Sequence, residues 1–248
     1  MYSCLRDSLD STGAAAVSAS VRRPSTMNSP SRKSVPAPRR AATGRGLGIG
    51  LDRATRARLA ALKTPERIQD FVNGLCWNYE KSGPTAMSVA AVLREKRAHC
   101  VEGAFVAACA LWLAGFPPLL MDMGAARGDV DHVVALFRRG RLWGAISKSN
   151  SPFLRYRDPI YRSLRELSLS YFPQYVKKRR KTLRTYSVAV DLRRYDPALW
   201  VTHEGFCHTM VDTLTGARHF SLLPPGSERH LRPIDEIEAR SNLLKDFQ

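Results

Sequence analysis

Acidic residues are scarce in this sequence: 22 Asp and Glu stand against 39 Lys and Arg, a formal net charge of +17 over 248 residues. A positive field of that size draws phosphates and anionic lipid toward the surface, without naming a partner. Cysteine is sparse and unpaired: Cys4, Cys76, Cys100, Cys109 and Cys207 form no CxxC and show no small-scaffold spacing. A disulfide framework is excluded, and reduced thiols in a cytoplasmic setting are expected. The first ten residues carry Arg6, Asp7 and Asp10 in place of an apolar signal core, so secretion is not expected. Long apolar runs are missing too. Gly103 to Met121 is the longest uncharged stretch, and Gly115, Pro117 and Pro118 interrupt it, which favours a buried helix followed by a turn over a membrane span.

What is present is the composition of a folded body, 44% hydrophobic and 25% charged, which excludes a collagen-like or wholly disordered chain. Residues 1–50 differ, with eight Lys or Arg against two acids among Ser, Ala and Pro. They bury too little apolar surface to offset ordering and are expected to be a disordered basic tail; a transit peptide has a similar composition. Alternating glycines from Gly44 to Gly50 lack both the preceding strand and the Lys-Ser/Thr ending of a phosphate loop, so they read as a linker. No internal repeat is visible. The expected division is a tail at 1–50, a core at 51–190, and an extension at 191–248 packed on that core.

Folded structure is expected from about Leu51, with a short helix over Arg56–Leu62 and a second capped by Thr64 with Pro65 at its first position. Ser88 caps a third helix that runs through Val89, Val92 and Leu93 into the basic turn Arg94–Arg97, which delivers His99 and Cys100. Beyond it, Val101, Ala104, Phe105, Ala108, Leu111 and Trp112 recur at helical spacing with almost no polar face, as in a buried helix. Pro118–Met123 reads as a strand. Asp131–Phe137 and Leu142–Ile146 read as a hairpin around Arg138–Arg141. A helix over Arg162–Tyr175 and strands at Val188–Leu192 and His219–Leu223 complete the expectations.

Nucleophilic chemistry by cysteine needs a thiolate, and the positive end of a helix dipole lowers a thiol's pKa. Cys100 occupies such a position. A histidine on a neighbouring strand is a common base, and His132 opens the first strand of the expected hairpin. On spacing alone, a buried structural cysteine and a surface Asp131–His132 pair account for the same residues.

Val92-Leu-Arg-Glu-Lys-Arg-Ala-His-Cys100-Val-Glu-Gly-Ala104 resembles the motif of the transglutaminase-like (papain-like cysteine hydrolase) superfamily, in which a helix and basic turn precede a cysteine that starts a buried helix. His132, Gly140, Trp143 and Ile146 fall where that superfamily shows its histidine, hairpin glycine, tryptophan and the apolar residue before its acid. The likeness covers roughly 64–150. Gly144–Asn150, Arg155–Pro159 and Leu167–Phe172 look like a bacterial branch of it, which implies no known substrate. The resemblance implies an α+β fold in which the buried helix packs on a small antiparallel sheet, with Cys100 and His132 as the working pair and no cofactor. It also exposes a departure: Ser147 stands where the third residue is usually Asp, and serine supplies no charge to hold an imidazolium. Asn150 is the alternative third member, with Asp131 and Asp158 as acids close in sequence.

The expected activity is thiol-dependent hydrolysis or acyl transfer at an amide bond of a peptide or protein. The alternative is a catalytically weakened binding module that contacts nucleic acid or another polyanion. Lys177-Lys-Arg-Arg-Lys181, flanked by Tyr171, Phe172, Tyr175 and Tyr186, has the composition of such a contact and equally that of a solvated loop. His203, Glu204, Cys207, His208 and His219 lack any established zinc spacing, so no metal is expected.

Overall fold

The computed structural model describes residues 48–247. The expected tail lies outside the described residues except for 48–50, where Ile49 is 3% exposed and part of the core, so burial begins slightly before Leu51.

Helix α1 (Arg53–Ala60) is capped by Asp52, and α2 (Pro65–Asn73) by Thr64, whose hydroxyl accepts the Arg67 N–H. Strand β1 (Cys76–Trp77) follows. Ser88 caps α3 (Val89–Glu95), and Lys96, left-handed at φ 56°, turns the chain into β2 (Arg97–Ala98) and α4 (Cys100–Leu113). Strands β3 (Leu119–Met123), β4 (His132–Arg139), β5 (Leu142–Ile146) and β6 (Arg157–Tyr161) come next. After them are α5 (Leu164–Leu169), β7 (Val176–Lys177), β8 (Arg180–Lys181), β9 (Thr185–Ser187) and β10 (Val190–Asp191). Helix α6 (His208–Thr215), β11 (His219–Ser221) and α7 (Glu236–Asn242) close the described chain.

The fold is α+β. Its main sheet is antiparallel, in the order β10-β3-β4-β5-β6. On one face lies α4, with every residue from Val101 to Trp112 buried and α1, α2 and α3 packed around it. A helix apolar all round must be enclosed all round, and each large side chain so enclosed contributes about 1.5–3 kcal/mol. Trp200 seals its far side, with ring centroids 6.3 Å from Phe105 and 6.2 Å from Trp112. The carbonyls of Trp200 and Val201 accept the Val89 and Ala90 N–H groups at 3.0 and 2.8 Å, satisfying amides that the first turn of α3 leaves free. On the opposite face a smaller cluster gathers Met121, Met123, Val134, Leu136, Tyr171, Tyr175 and Leu183.

Several expectations need correction. The helix expected over Arg162–Tyr175 stops at Leu169, and Pro173 lies in a separate 3-10 turn over Phe172–Gln174. Strand β6 was not expected because it carries Asp158-Pro159. It lies at the sheet edge, where a proline costs no ladder bond. The strands expected at Val188–Leu192 and His219–Leu223 shrink to β10 and β11. The basic run is no open loop. It is the two-stranded hairpin β7–β8, with Lys178 and Arg179 in the left-handed region at φ 47° and 65°.

Candidate active site

The parallel pairing of β1 with β2, Cys76 beside Arg97 and Trp77 beside Ala98, brings residues 78–80 next to His99 and Cys100. His99 is the N-cap of α4 and Cys100 its first helical residue. Glu102, at the third position, reaches back to accept the His99 N–H at 2.9 Å. Its carboxylate is wholly buried, and it also accepts from the Thr85 hydroxyl at 2.7 Å, the Met87 N–H at 3.1 Å and the Asn78 amide at 3.1 Å. A buried charge is tolerated only when satisfied in this way. The Nε2 of His99 lies 2.9 Å from the Thr85 carbonyl oxygen, 3.4 Å from Glu102 and 3.5 Å from Glu80.

The other ring nitrogen of His99, Nδ1, is 3.9 Å from Cys100 Sγ. The Cys100 thiol donates to the Asp131 carbonyl at 3.9 Å, and His132, the next residue, first of β4 and paired across the ladder with Met123, lines the same cavity as the thiol from the sheet side. Its Nε2 is 2.7 Å from Ser147 Oγ, just past the end of β5, which leaves Nδ1 for the thiol. Its ring meets Tyr171 edge-on with centroids 6.1 Å apart. Burial by itself would raise the Cys100 thiol; hydrogen bonds from His132 and His99, and their charges, outweigh it and bring the thiol down to about 5. Burial would lower His99, but the hydrogen bond and charge of Cys100, with the charge of Glu102, raise it to about 9. Cys109, on the same helix and without such neighbours, is pushed up to about 12 by burial.

Cys100, His99 and His132 line a cavity of about 470 Å³. Tyr79, Glu80, Asp131, Asn150 and Tyr175 also line it. The Cys100 N–H lies in the first turn of α4, whose amides have no intrahelical acceptor. Lys148 backs this region: its ammonium donates to the Asn73 and Leu75 carbonyls, and its stem crosses α4 where Gly103 leaves room for it.

Among the residues singled out in the sequence, Cys100, His132 and Ser147 are brought together. Asn150 is not: its amide turns to Phe247, donating to the carbonyl at 2.9 Å and accepting the N–H at 2.8 Å. Asp131 accepts the Ala125 N–H at 2.8 Å, and Asp158 is exposed on β6. His99 and Glu102 were missed as functional residues, although a His beside the Cys and a Glu three residues after the cap were legible signals. Asp122, also missed, is 3.2 Å from His219, a pair 97 positions apart with no local signature. Burial and the charge of Asp131 push the Asp122 carboxyl up to about 6, against the pull of His219.

Elsewhere, no group of three or more His, Cys, Asp or Glu sits close enough to hold a metal ion among the described residues. No helix among them is long and apolar enough to cross a membrane. The hairpin β7–β8 borders a cleft in which Arg127, Lys178 and Arg180 gather, none paired with a carboxylate among the described residues. Arg184 joins this cleft to a second one lined by Lys181, Arg229 and Arg232. No protein-family model matches this chain, and a search of curated proteins finds no sequence similar to it.

Proposed function

We propose that the chain is a thiol-dependent hydrolase or acyltransferase acting at an amide bond, on a transglutaminase-like core, with Cys100 as nucleophile and His132 as acid and base. One observation carries the reading: a single thiol, at the start of a buried helix, lines a cavity together with two imidazoles, His99 at 3.9 Å from the sulfur and His132 at the start of β4. The order of elements supports the family likeness, since a helix begun by the cysteine packs on an antiparallel sheet whose central strand is begun by the histidine.

On this reading the chemistry is nucleophilic acyl substitution. The Cys100 thiolate attacks the amide carbonyl carbon, and the oxyanion meets the Cys100 N–H. As the C–N bond breaks, the His132 imidazolium gives its proton to the departing amine, leaving a thioester on Sγ. Water, or a second amine, then adds to the thioester carbonyl while His132 takes its proton, and the C–S bond breaks to release the acyl product and restore the thiolate and imidazolium. Ser147 orients His132 by accepting from Nε2–H, but brings no charge. The charge comes from the other side: Glu102 and Glu80 support a cationic His99, which holds the thiolate in its ionised form.

The test is iodoacetamide labelling across pH, with Cys109 as the internal unreactive thiol. Rapid labelling of Cys100 near pH 6, lost in His132→Ala, supports the reading; labelling only above about pH 8.5, as for an ordinary thiol, overturns it.

A second reading, a binding module for polyanions, draws on the three uncompensated cations beside the β7–β8 hairpin. It requires affinity that is independent of Cys100 and falls steeply with salt.

A further inference from the structure

A peptide segment is bound to two residues that line the Cys100 cavity, Asn150 and Tyr79. Residues Asp246 and Phe247 do not line the cavity themselves, but three of their backbone groups are held by Asn150. The Asp246 N–H donates to the Asn150 carbonyl at 3.0 Å. The Phe247 N–H donates to Asn150 Oδ1 at 2.8 Å, and the Phe247 carbonyl accepts from Asn150 Nδ2 at 2.9 Å. A side-chain amide that reads both the N–H and the C=O of one residue replaces a strand partner, and it recognises any extended backbone. The same Phe247 carbonyl accepts from the Tyr79 hydroxyl at 2.9 Å, so one oxygen is shared by two residues that line the cavity.

The side chains of the dipeptide are also matched. Asp246 pairs with Arg155 at 2.5 Å, and Arg155 is itself anchored on the Ser149 carbonyl at 3.1 Å. The Phe247 ring stands 4.5 Å from the ammonium of Lys148, a fully buried lysine. Asn242 and Lys245, just before this dipeptide, line the same cavity as Cys100.

We propose that Asn150, Tyr79, Arg155 and Lys148 form a peptide-binding subsite beside Cys100, specific for an extended segment with an acidic residue followed by an aromatic one, and that residues 243–247 fill it as an internal competitor. The subsite deepens the function proposed above by naming its substrate class, an acidic-aromatic peptide. It rests on that reading only for the chemistry after binding. Segment and incoming peptide compete for one set of donors and acceptors, so the apparent affinity for peptide is reduced by the fraction of molecules whose subsite is open.

The experiment uses the full chain and the fluorescent hexapeptide Leu-Leu-Lys-Asp-Phe-Gln. Asp246→Arg sets a cation against Arg155 and Lys148 at an exposed position and releases the segment without touching the core. The expected result is binding at least about tenfold tighter to this variant than to the native chain. Adding Asn150→Ala abolishes the gain, and a scrambled hexapeptide does not bind. Cys100 labelling at pH 6 is measured on the same samples and rises several-fold once the segment is released. Equal binding to both chains, or binding that survives Asn150→Ala, overturns the proposal. Failure of the two readings separates cleanly: peptide binding with an unreactive Cys100 sinks the thiolate chemistry alone, while a reactive Cys100 without peptide binding sinks the subsite alone.

Discussion

Glu102 grips His99 twice, accepting its backbone N–H at 2.9 Å and facing its Nε2 at 3.4 Å, while the opposite ring nitrogen faces Cys100 Sγ. One residue thus fixes the start of the helix and the charge beside the nucleophile. Glu102→Gln keeps the shape and removes the charge, so the Cys100 pKa should rise from about 5 toward that of a free thiol, measured by labelling across pH. Glu102→Ala also strips a buried network of its acceptor and should cost about 3–5 kcal/mol in denaturant unfolding.

The pH window comes from two shifts of opposite sign. The thiolate exists above about 5 and is lost as pH falls through that value, whereas the His99 imidazolium exists below about 9 and is lost as pH rises through it. The ion pair therefore spans about pH 5 to 9. His99→Ala should move the acid limb of the labelling profile upward by more than about one pH unit, while a protein whose limb stays near 5 would show that His132 suffices alone.

Ser147→Asp would restore a carboxylate behind His132, where Oγ now lies 2.7 Å from Nε2. The position is fully buried, so the change should lower the melting temperature, while the stabilised imidazolium should persist to higher pH, seen as an upward shift of the His132 titration followed by NMR. Ser147→Ala leaves Nε2 without its partner and should cost about 1–3 kcal/mol.

Gly103→Ala tests how α4 meets Lys148. A methyl there would collide with the first carbons of the lysine side chain, and both backbones are held in place. A loss of about 1–3 kcal/mol in denaturant unfolding is expected.

For the binding-module reading, Arg127, Lys178 and Arg180 are the cations to remove. Each substitution to Ala should reduce the salt slope of RNA or polyphosphate binding by about one, if that surface is used. An unchanged slope in the triple variant assigns the binding elsewhere.

Much of the core was legible locally. Thr64, Ser88 and Asp52 act within their own turns, so their helices are set by side chains a few residues away, although Asp52 itself went unread as a cap. The unbroken apolar run after Cys100 demands burial wherever the helix goes. The hairpin of β4 and β5 is set by β-forming residues around Gly140, whose φ of 60° suits glycine. The short strands β7, β8 and β9 were not legible, because two or three residues carry too little pattern to outweigh tertiary pairing.

The sequence by itself determined that a cysteine opens a buried helix and a histidine opens a strand, since periodicity and capping are local. Only the tertiary structure decided what surrounds the sulfur. The second imidazole faces it because Glu102, Thr85 and Asn78 converge from separate segments. Asn150 is drawn away from His132 because residues 246–247, about a hundred positions later, satisfy its amide first. Such choices depend on which distant backbone arrives within hydrogen-bond reach, and no local pattern encodes that distance.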